Sequence, residues 1–234
     1  MAPSARNSIQ PHVNGLQFPL DPYTAQQPPP MATKPLPPNL TIEPVTARTL
    51  QAYRRLITLL LPIRYPDKFY HESLENATPD SIALCVLWHE PGTPEPKVIA
   101  GIQCRRVKTP ISSSPTSPTS ATIQETLYIQ SLATLAPYRS LGVATALLDA
   151  VITTAIRKYE HVTSVYAHVW EANTDALEWY EKRGFEVEKG VVEGYYRKLR
   201  PTGARVVRRR LGVGDYLGFK EGVGGKSVGE RENG

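Results

Sequence analysis

The chain predicts an α/β (α+β) domain: one mixed central sheet of about seven strands, flanked by about four helices. Three observations carry this. Strand-like and helix-like hydrophobic patterns alternate between residues 39 and 199 in the order β-α-α-β-β-β-α-β-α-β-β. Prolines crowd outside that stretch, with ten of the 22 in residues 1–38. A chain of 234 residues, 41% hydrophobic, suffices for one such core plus tails.

Leu40, Ile42 and Pro44 begin a short edge strand. Thr46 is a fair N-cap for a helix over 47–61, whose stripe is Leu50, Tyr53, Ile57, Leu60 and Leu61, and Pro62 ends it. Pro66 suits the first turn of a second helix running through Phe69 and Leu74. Ile82–Trp88 and Val98–Val107 read as strands around a Pro/Gly turn at 91–96. Cys85 and Cys104 are expected near each other across that hairpin, as reduced core thiols. Thr126–Leu135 is a long strand and Leu141–Ile156 an amphipathic helix. Ser164–Val169 is a β-branched strand, and Thr174–Arg183 a helix stopped by Gly184. Phe185–Val187 and Tyr195–Leu199 complete the pattern as strands.

The domain is placed at 39–204. Residues 1–38 read as a disordered Pro-rich tail, partly polyproline II. Residues 109–124, TPISSSPTSPTSATIQ, read as a flexible insertion in a hairpin loop. Residues 205–234 read as a disordered tail, first basic and then Gly-rich. The net charge of +5 is mostly a property of that last segment, because residues 39–199 hold 17 charges of each sign. Arg205, Arg208, Arg209 and Arg210 are its dense part, open either to a ribosomal or acidic partner or to simple solubilisation. A balanced core argues against a specific nucleic acid as substrate. No run of about 18 apolar residues is present, so no membrane span is expected. The first ten residues lack an apolar signal core, and the expected location is the cytoplasm, with the nucleus as a second. Two cysteines rule out a disulfide scaffold and a four-cysteine zinc site, and His12, His71, His89 and His161 show no ligand spacing, so no metal is expected.

The most informative segment is Leu135–Thr145, LAPYRSLGVAT. A long strand ends, a proline turns the chain, and a helix starts at small residues. Gly142 and Ala144 keep the backbone bare where unpaired N–H groups meet the positive end of the helix dipole. That is a site for a pyrophosphate, with Arg139 at its lip; a tight packing turn is the plain alternative. There is no P-loop and no GxGxxG, which disfavours nucleotide hydrolysis and hydride transfer.

Arg139-x-x-Gly142-x-Ala144 resembles the acetyl-CoA signature Q/R-x-x-G-x-G/A of the GNAT acyltransferase superfamily. Asn173-x-x-Ala176-x-x-x-Tyr180-x-x-x-Gly184-Phe185 is similar to that superfamily's second helix signature. The segments 61–70 (LPIRYPDKFY), 127–139 (LYIQSLATLAPYR), 165–169 (VYAHV) and 194–197 (GYYR) resemble one branch of its N-alpha-acetyltransferases, the NatE catalytic subunits that act on N-terminal methionine. The likeness covers 39–204 without the insertion.

The resemblance implies a GNAT fold, acetyl-CoA as cosubstrate and no metal. It implies acetyl transfer to protein N-termini, preferably Met followed by an apolar residue, with Tyr128 and His168 as general bases acting through ordered water. Acetyl-CoA is expected along Leu132, Ala133, Thr134, Leu135, Arg139, Ser140, Leu141, Gly142, Val143, Ala144 and Thr145, and at Asn173, Ala176 and Tyr180. The peptide is expected against Leu61, Pro62, Ile63, Tyr65, Gln130, Tyr195, Tyr196 and Leu199. The implied partners are nascent polypeptide N-termini, the auxiliary scaffold and catalytic subunit of NatA, and the ribosome. Chemistry agrees with this much: an α-amino group is largely protonated at neutral pH and must lose a proton, and a neutral imidazole is a plausible acceptor. Strand alternation is expected to put Tyr128, Gln130 and Leu132 on one face, and Tyr166 with His168 on another strand's face. Two departures touch peptide preference: Leu61 where the branch commonly has Phe, and Gln130 where it commonly has Met. Acetylation of lysine side chains and a weakly active assembly subunit are the alternatives.

Overall fold

The computed structural model describes residues 35–75, 81–111, 122–159 and 161–216. The predicted element order is the observed one: β1 (Leu40–Pro44), α1 (Leu50–Leu60), α2 (Asp67–Glu75), β2 (Ala83–Trp88), β3 (Lys97–Ile111), β4 (Thr122–Thr134), α3 (Val143–Lys158), β5 (Val162–Trp170), α4 (Thr174–Glu181), β6 (Glu186–Val187) and β7 (Ala204–Arg210). The strands form one seven-stranded sheet in the order β1-β2-β3-β4-β5-β7-β6. Every pairing is antiparallel except β4 with β5, where α3 makes the crossover that a parallel pair requires.

Each face of the sheet buries its own core. On one, Val143, Leu147, Leu148, Val151 and Ala155 of α3, with Tyr180 and Phe185, pack on Leu127, Ile129, Val165 and Ala167. On the other, Tyr53, Leu56 and Ile57 of α1, with Phe69 and Tyr70, pack on Cys85, Leu87, Val98 and Ala133. Gly101 is what lets α1 sit down: a Cβ there would lie 2.5 Å from the Tyr53 ring. Tyr53 is fully buried and its hydroxyl is 3.1 Å from Ser131 Oγ of β4, so α1 is tied directly to the strand that carries the site.

Several expectations are corrected. Helix α1 starts three residues late, because Thr49 rather than Thr46 takes the N-cap position. Cys85 and Cys104 are both free and buried but belong to opposite cores, since strand alternation separates them across the sheet. The hairpin insertion is shorter than 109–124: residues 109–111 pair with 122–124 in the β3–β4 ladder, and 112–121 lie outside the described residues. The largest miss is the last strand. Tyr195–Leu199 is a loop, closed by Tyr196 N–H to Thr202 O and Leu199 N–H to Tyr196 O, and the strand is Ala204–Arg210. The basic segment read as the start of a tail therefore belongs to the sheet. Arg208 pairs with Glu188 and Arg209 with Asp215, so its charges are held by the fold. The tails over 1–34 and 217–234 fall outside the described residues.

Candidate active site

The site is made by an irregularity in β4. Its pairing with β3 runs Gln103 to Ser131 and then Cys104 to Ile129, leaving Gln130 as an extra residue. Such a bulge reverses the side-chain phase. Ile129 and Leu132 consequently both face the α3 core, while Tyr128 faces the opposite side, so the expected shared face of Tyr128, Gln130 and Leu132 does not exist. Beyond the bulge β4 also parts from β5: their ladder ends at Ile129 and Ala167. Residues 130–134 then have no strand neighbour on the β5 side, and their backbone groups there are open to other partners.

A cavity of about 1150 Å³ occupies this opening, between β4, α3 and α4. Its walls include Leu132, Ala133, Thr134, Arg139, Ser140, Gly142, Val143, Ala144, Thr145, Asn173, Ala176 and Tyr180. Of the residues expected to hold acetyl-CoA, only Leu135 and Leu141 turn away, into the α3-side core. The turn into α3 is made by two left-handed residues, Ser140 (φ +64°) and Gly142 (φ +81°). Gly142 is the N-cap and supplies no side-chain cap, and the first-turn amides of Val143, Ala144 and Thr145 precede the first helical bond, Ala146 N–H to Gly142 O. No acidic residue sits in that first turn, so the dipole's positive end is uncompensated. Arg139 is exposed at the lip, its Nε donating to Thr134 O at 3.3 Å. The Thr134 hydroxyl oxygen is buried in the same wall without a partner. Free amides, an arginine and an unpartnered hydroxyl suit the phosphates and amide groups of a CoA carrier.

Asn173 has a structural duty as well: its Oδ1 caps α4, accepting from Ala176 N–H at 3.2 Å. Tyr180 is buried, with Phe185 and Trp179 edge-on to its ring, and burial pushes its phenol well above the usual tyrosine range. It keeps its proton at neutral pH. Sequence reading missed Arg183, which reaches the cavity from the end of α4. Its Nε and Nη2 donate to Thr145 Oγ1 at 2.9 and 2.7 Å, and its guanidinium lies 3.8 Å from the Trp179 ring centroid. The signal was present: Arg183 follows Trp179 by four residues, on the same helical side. Asp149, one turn beyond Thr145, was also missed, and burial raises its carboxyl above the usual range.

The other face carries the expected base and an aromatic wall. Tyr128 and His168 come together edge-to-face, with ring centroids 5.5 Å apart. Tyr195 stacks flat on His168 at 4.4 Å, and its hydroxyl is 2.7 Å from that of Tyr128. Tyr196 donates to His168 O at 3.0 Å, and Tyr65 to Gln130 O at 2.7 Å, which pins the bulge. Leu61 lines the cavity at the end of α1; Ile63 and Leu199 are half-buried, and Pro62 is exposed. Gln130 Oε1 and His168 Nδ1 are buried without a partner.

Burial lowers the His168 pKa below 6.5, with Glu188 opposing and Arg208 adding to the shift, so the imidazole is neutral at pH 7. Burial, then the Tyr195 hydrogen bond, pushes Tyr128 far above the usual phenol range. A tyrosine so placed donates a hydrogen bond and is a poor base. Of the two expected bases, only His168 has the acid–base balance for the task.

The geometry has counterparts. A model of the Acetyltransferase (GNAT) family matches residues 50–185. N-alpha-acetyltransferase 50 of Danio rerio is 29% identical over 167 residues, covering 71% of this chain and 86% of its own length. A probable N-acetyltransferase, san, of Drosophila melanogaster is 28% identical over 173 residues, 74% of this chain and 82% of its own. Among solved structures, Arabidopsis thaliana Naa50 in complex with a bisubstrate analogue, CoA-Ac-MVNAL, superposes with a TM-score of 0.57 at 24% identity, over 74% of this chain and 99% of that one. Arabidopsis thaliana NAA60 in complex with acetyl-CoA gives 0.57 at 19% identity over the same share of this chain. These likenesses are to the fold.

Proposed function

The chain belongs to the GNAT acetyltransferase family, and on that premise we propose that it transfers acetyl from acetyl-CoA to the α-amino group of protein N-termini, preferring Met followed by an apolar residue. The observation that carries the reading is the pairing of a cavity lined by the first turn of α3 and Arg139 with a neutral histidine walled by three tyrosines on the other side of the sheet, where β4 parts from β5.

In this reading Arg139 and the first-turn amides of α3 hold the pyrophosphate, and the outward-facing backbone groups of Leu132 and Thr134 hold the carrier's extended arm. The carrier supplies an activated thioester. The half-buried His168 imidazole receives the incoming ammonium, directly or through water. Neutral His168 takes its proton. Tyr128 keeps its own proton and orients the amine or the bridging water. As the freed amine forms its bond to the acyl carbon and the carbon–sulfur bond breaks, protonated Tyr180 donates a hydrogen bond to the departing thiolate. Leu61 and Ile63 suit an apolar first side chain, and Tyr65, Tyr195 and Tyr196 frame it from above. The partners that fit this activity are nascent chains and, by likeness to NatE, the NatA scaffold and catalytic subunits at the ribosome, in the cytoplasm.

The test offers acetyl-CoA and four peptides, beginning Met-Leu, Met-Glu and Ser-Glu, and one N-blocked with an internal lysine. The expected result is fastest turnover of Met-Leu, lost in His168→Ala. Preference for the blocked lysine peptide would replace this reading by lysine acetylation.

A further inference from the structure

A row of side chains crosses the acceptor face of the sheet in a straight line. The strand registers set Arg105 opposite Tyr128, Tyr128 opposite Tyr166, and Tyr166 opposite Arg208. Side chains so aligned share one face. They touch in sequence: the Arg105 guanidinium lies 5.2 Å from the Tyr128 ring centroid, Tyr128 stacks on Tyr166 at 4.8 Å and 26°, and Arg208 lies 4.7 Å from the Tyr166 ring. Two cations thus bracket two stacked rings. The candidate reaction centre lies within the row, because Tyr128 meets His168 and Tyr195.

The row's charges are not fully answered within the fold. Arg208 pairs with Glu188, and Glu186 stands opposite it on β6. Arg105 is exposed, and among the described residues no carboxylate lies in ion-pair range of it. The rim adds Arg64 beside Tyr65, and Arg197, Lys198 and Arg200 in the loop after Tyr196, all exposed, against Glu193. Cations therefore outnumber anions around the mouth. Arg105 is also held in place: a guanidinium stacked on a ring keeps its outward N–H donors for a carboxylate, whereas Arg208 already donates to Glu188 and Ser164 and contributes mainly its charge.

We propose that this row makes the protein select peptides carrying acidic side chains a few residues downstream of the acetylated N-terminus. The inference rests on the N-terminal acetylation reading above and names the substrate class within it. The distances suit it: Arg105 lies one strand spacing and Arg208 two from Tyr128, about 5 and about 10 Å, and an extended peptide at about 3.3 Å per residue draws level with either within about three residues of the acetylated one. A stacking surface for single-stranded nucleic acid is disfavoured, because the rings face each other and leave no open slot for a base.

Three peptides with the same Met-Leu start carry Glu, Ala or Lys at residues three to five. Steady-state kinetics with the full chain should give a kcat/KM for the Glu peptide about five-fold or more above the Lys peptide, mostly through KM, shrinking as salt rises. Arg105→Ala should bring that ratio close to one, Arg208→Gln should reduce it, and Arg157→Ala, a charge-matched change on α3 across the sheet, should leave it. Equal efficiency for all three peptides would overturn this inference alone. A ratio that survives Arg105→Ala together with Arg208→Gln would also overturn it, as would inhibition by a short oligonucleotide with no difference among peptides. Turnover of none of the peptides would overturn the acetylation reading and this inference with it.

Discussion

Tyr195 offers the sharpest test of the acceptor site, because its ring and its hydroxyl act on different partners. Tyr195→Phe removes only the 2.7 Å hydroxyl contact with Tyr128. A hydrogen bond of this kind contributes about 1 kcal/mol, so kcat/KM for a Met-Leu peptide should fall about five-fold. Tyr195→Ala also removes the ring stacked at 4.4 Å on His168 and edge-on at 4.9 Å to Tyr196. Aromatic pairs contribute about 0.5–1.5 kcal/mol each, less at a partly exposed site, which brings the total to about 2 kcal/mol or about thirty-fold. The pH profile separates the two further. The base works in its neutral form, and burial holds the His168 pKa below 6.5, so activity is retained until pH falls through that lowered value. Exposing the imidazole in Tyr195→Ala returns its pKa toward 6.5, so the acid limb of kcat/KM should move to higher pH. In Tyr195→Phe the ring still covers His168 and the limb should stay. An equal loss in both variants, or an unmoved acid limb in Tyr195→Ala, would refute the assignment of His168 as the base sheltered by this ring.

Other outcomes follow from the packing. Gly101→Ala pushes a methyl to 2.5 Å from the buried Tyr53 ring and should destabilise by about 1–3 kcal/mol, read as a fall in Tm of about 2–4 °C per kcal/mol. Asn173→Ala removes the α4 cap and should lower stability by about 1 kcal/mol in urea unfolding, while raising KM for acetyl-CoA more than KM for peptide. Arg183→Leu should raise KM for acetyl-CoA several-fold with little change in peptide KM, measured with each substrate varied in turn. Burial pushes the Cys85 thiol up to about 11 and Cys104 higher still, so neither should react with a disulfide reagent at pH 7 until denaturant is added.

The fold was legible where local pattern and packing agree. The α3 stripe is a regular amphipathic repeat followed by Arg157 and Lys158 at the negative end of the dipole, and its position was readable to within two residues. The CoA side was legible because its residues are consecutive: the turn 139–145 is one continuous backbone feature. The acceptor side was less so. The Gln130 bulge is set by the ladder with β3, a long-range pairing, and no local signal at Gln130 announces it. The last strand misled for the same reason. Tyr195–Leu199 has the aromatic content of a strand, whereas Ala204–Arg210 carries four arginines and reads as a tail. Its place in the sheet comes from antiparallel pairing along Ser164–Trp170 of β5, with Val207 fully buried and Arg208 and Arg209 held by carboxylates. Arg183 escaped notice because its role depends on Thr145, 38 residues away in sequence.

The early end of the β4–β5 ladder turns the sheet into a partition with a gap beside Gln130. The carrier's room is furnished by the β4 end, α3 and α4; the acceptor's by the α1–α2 turn, the outer face of β5 and the loop before β7. Beyond β4 and Leu61 the two inventories come from separate stretches of chain. Drift in what is modified therefore need not disturb how the acyl group is delivered. Transplanting the acceptor-side stretches 62–65 and 193–201 from a relative of different preference should exchange the peptide choice and leave the affinity for the carrier where it was.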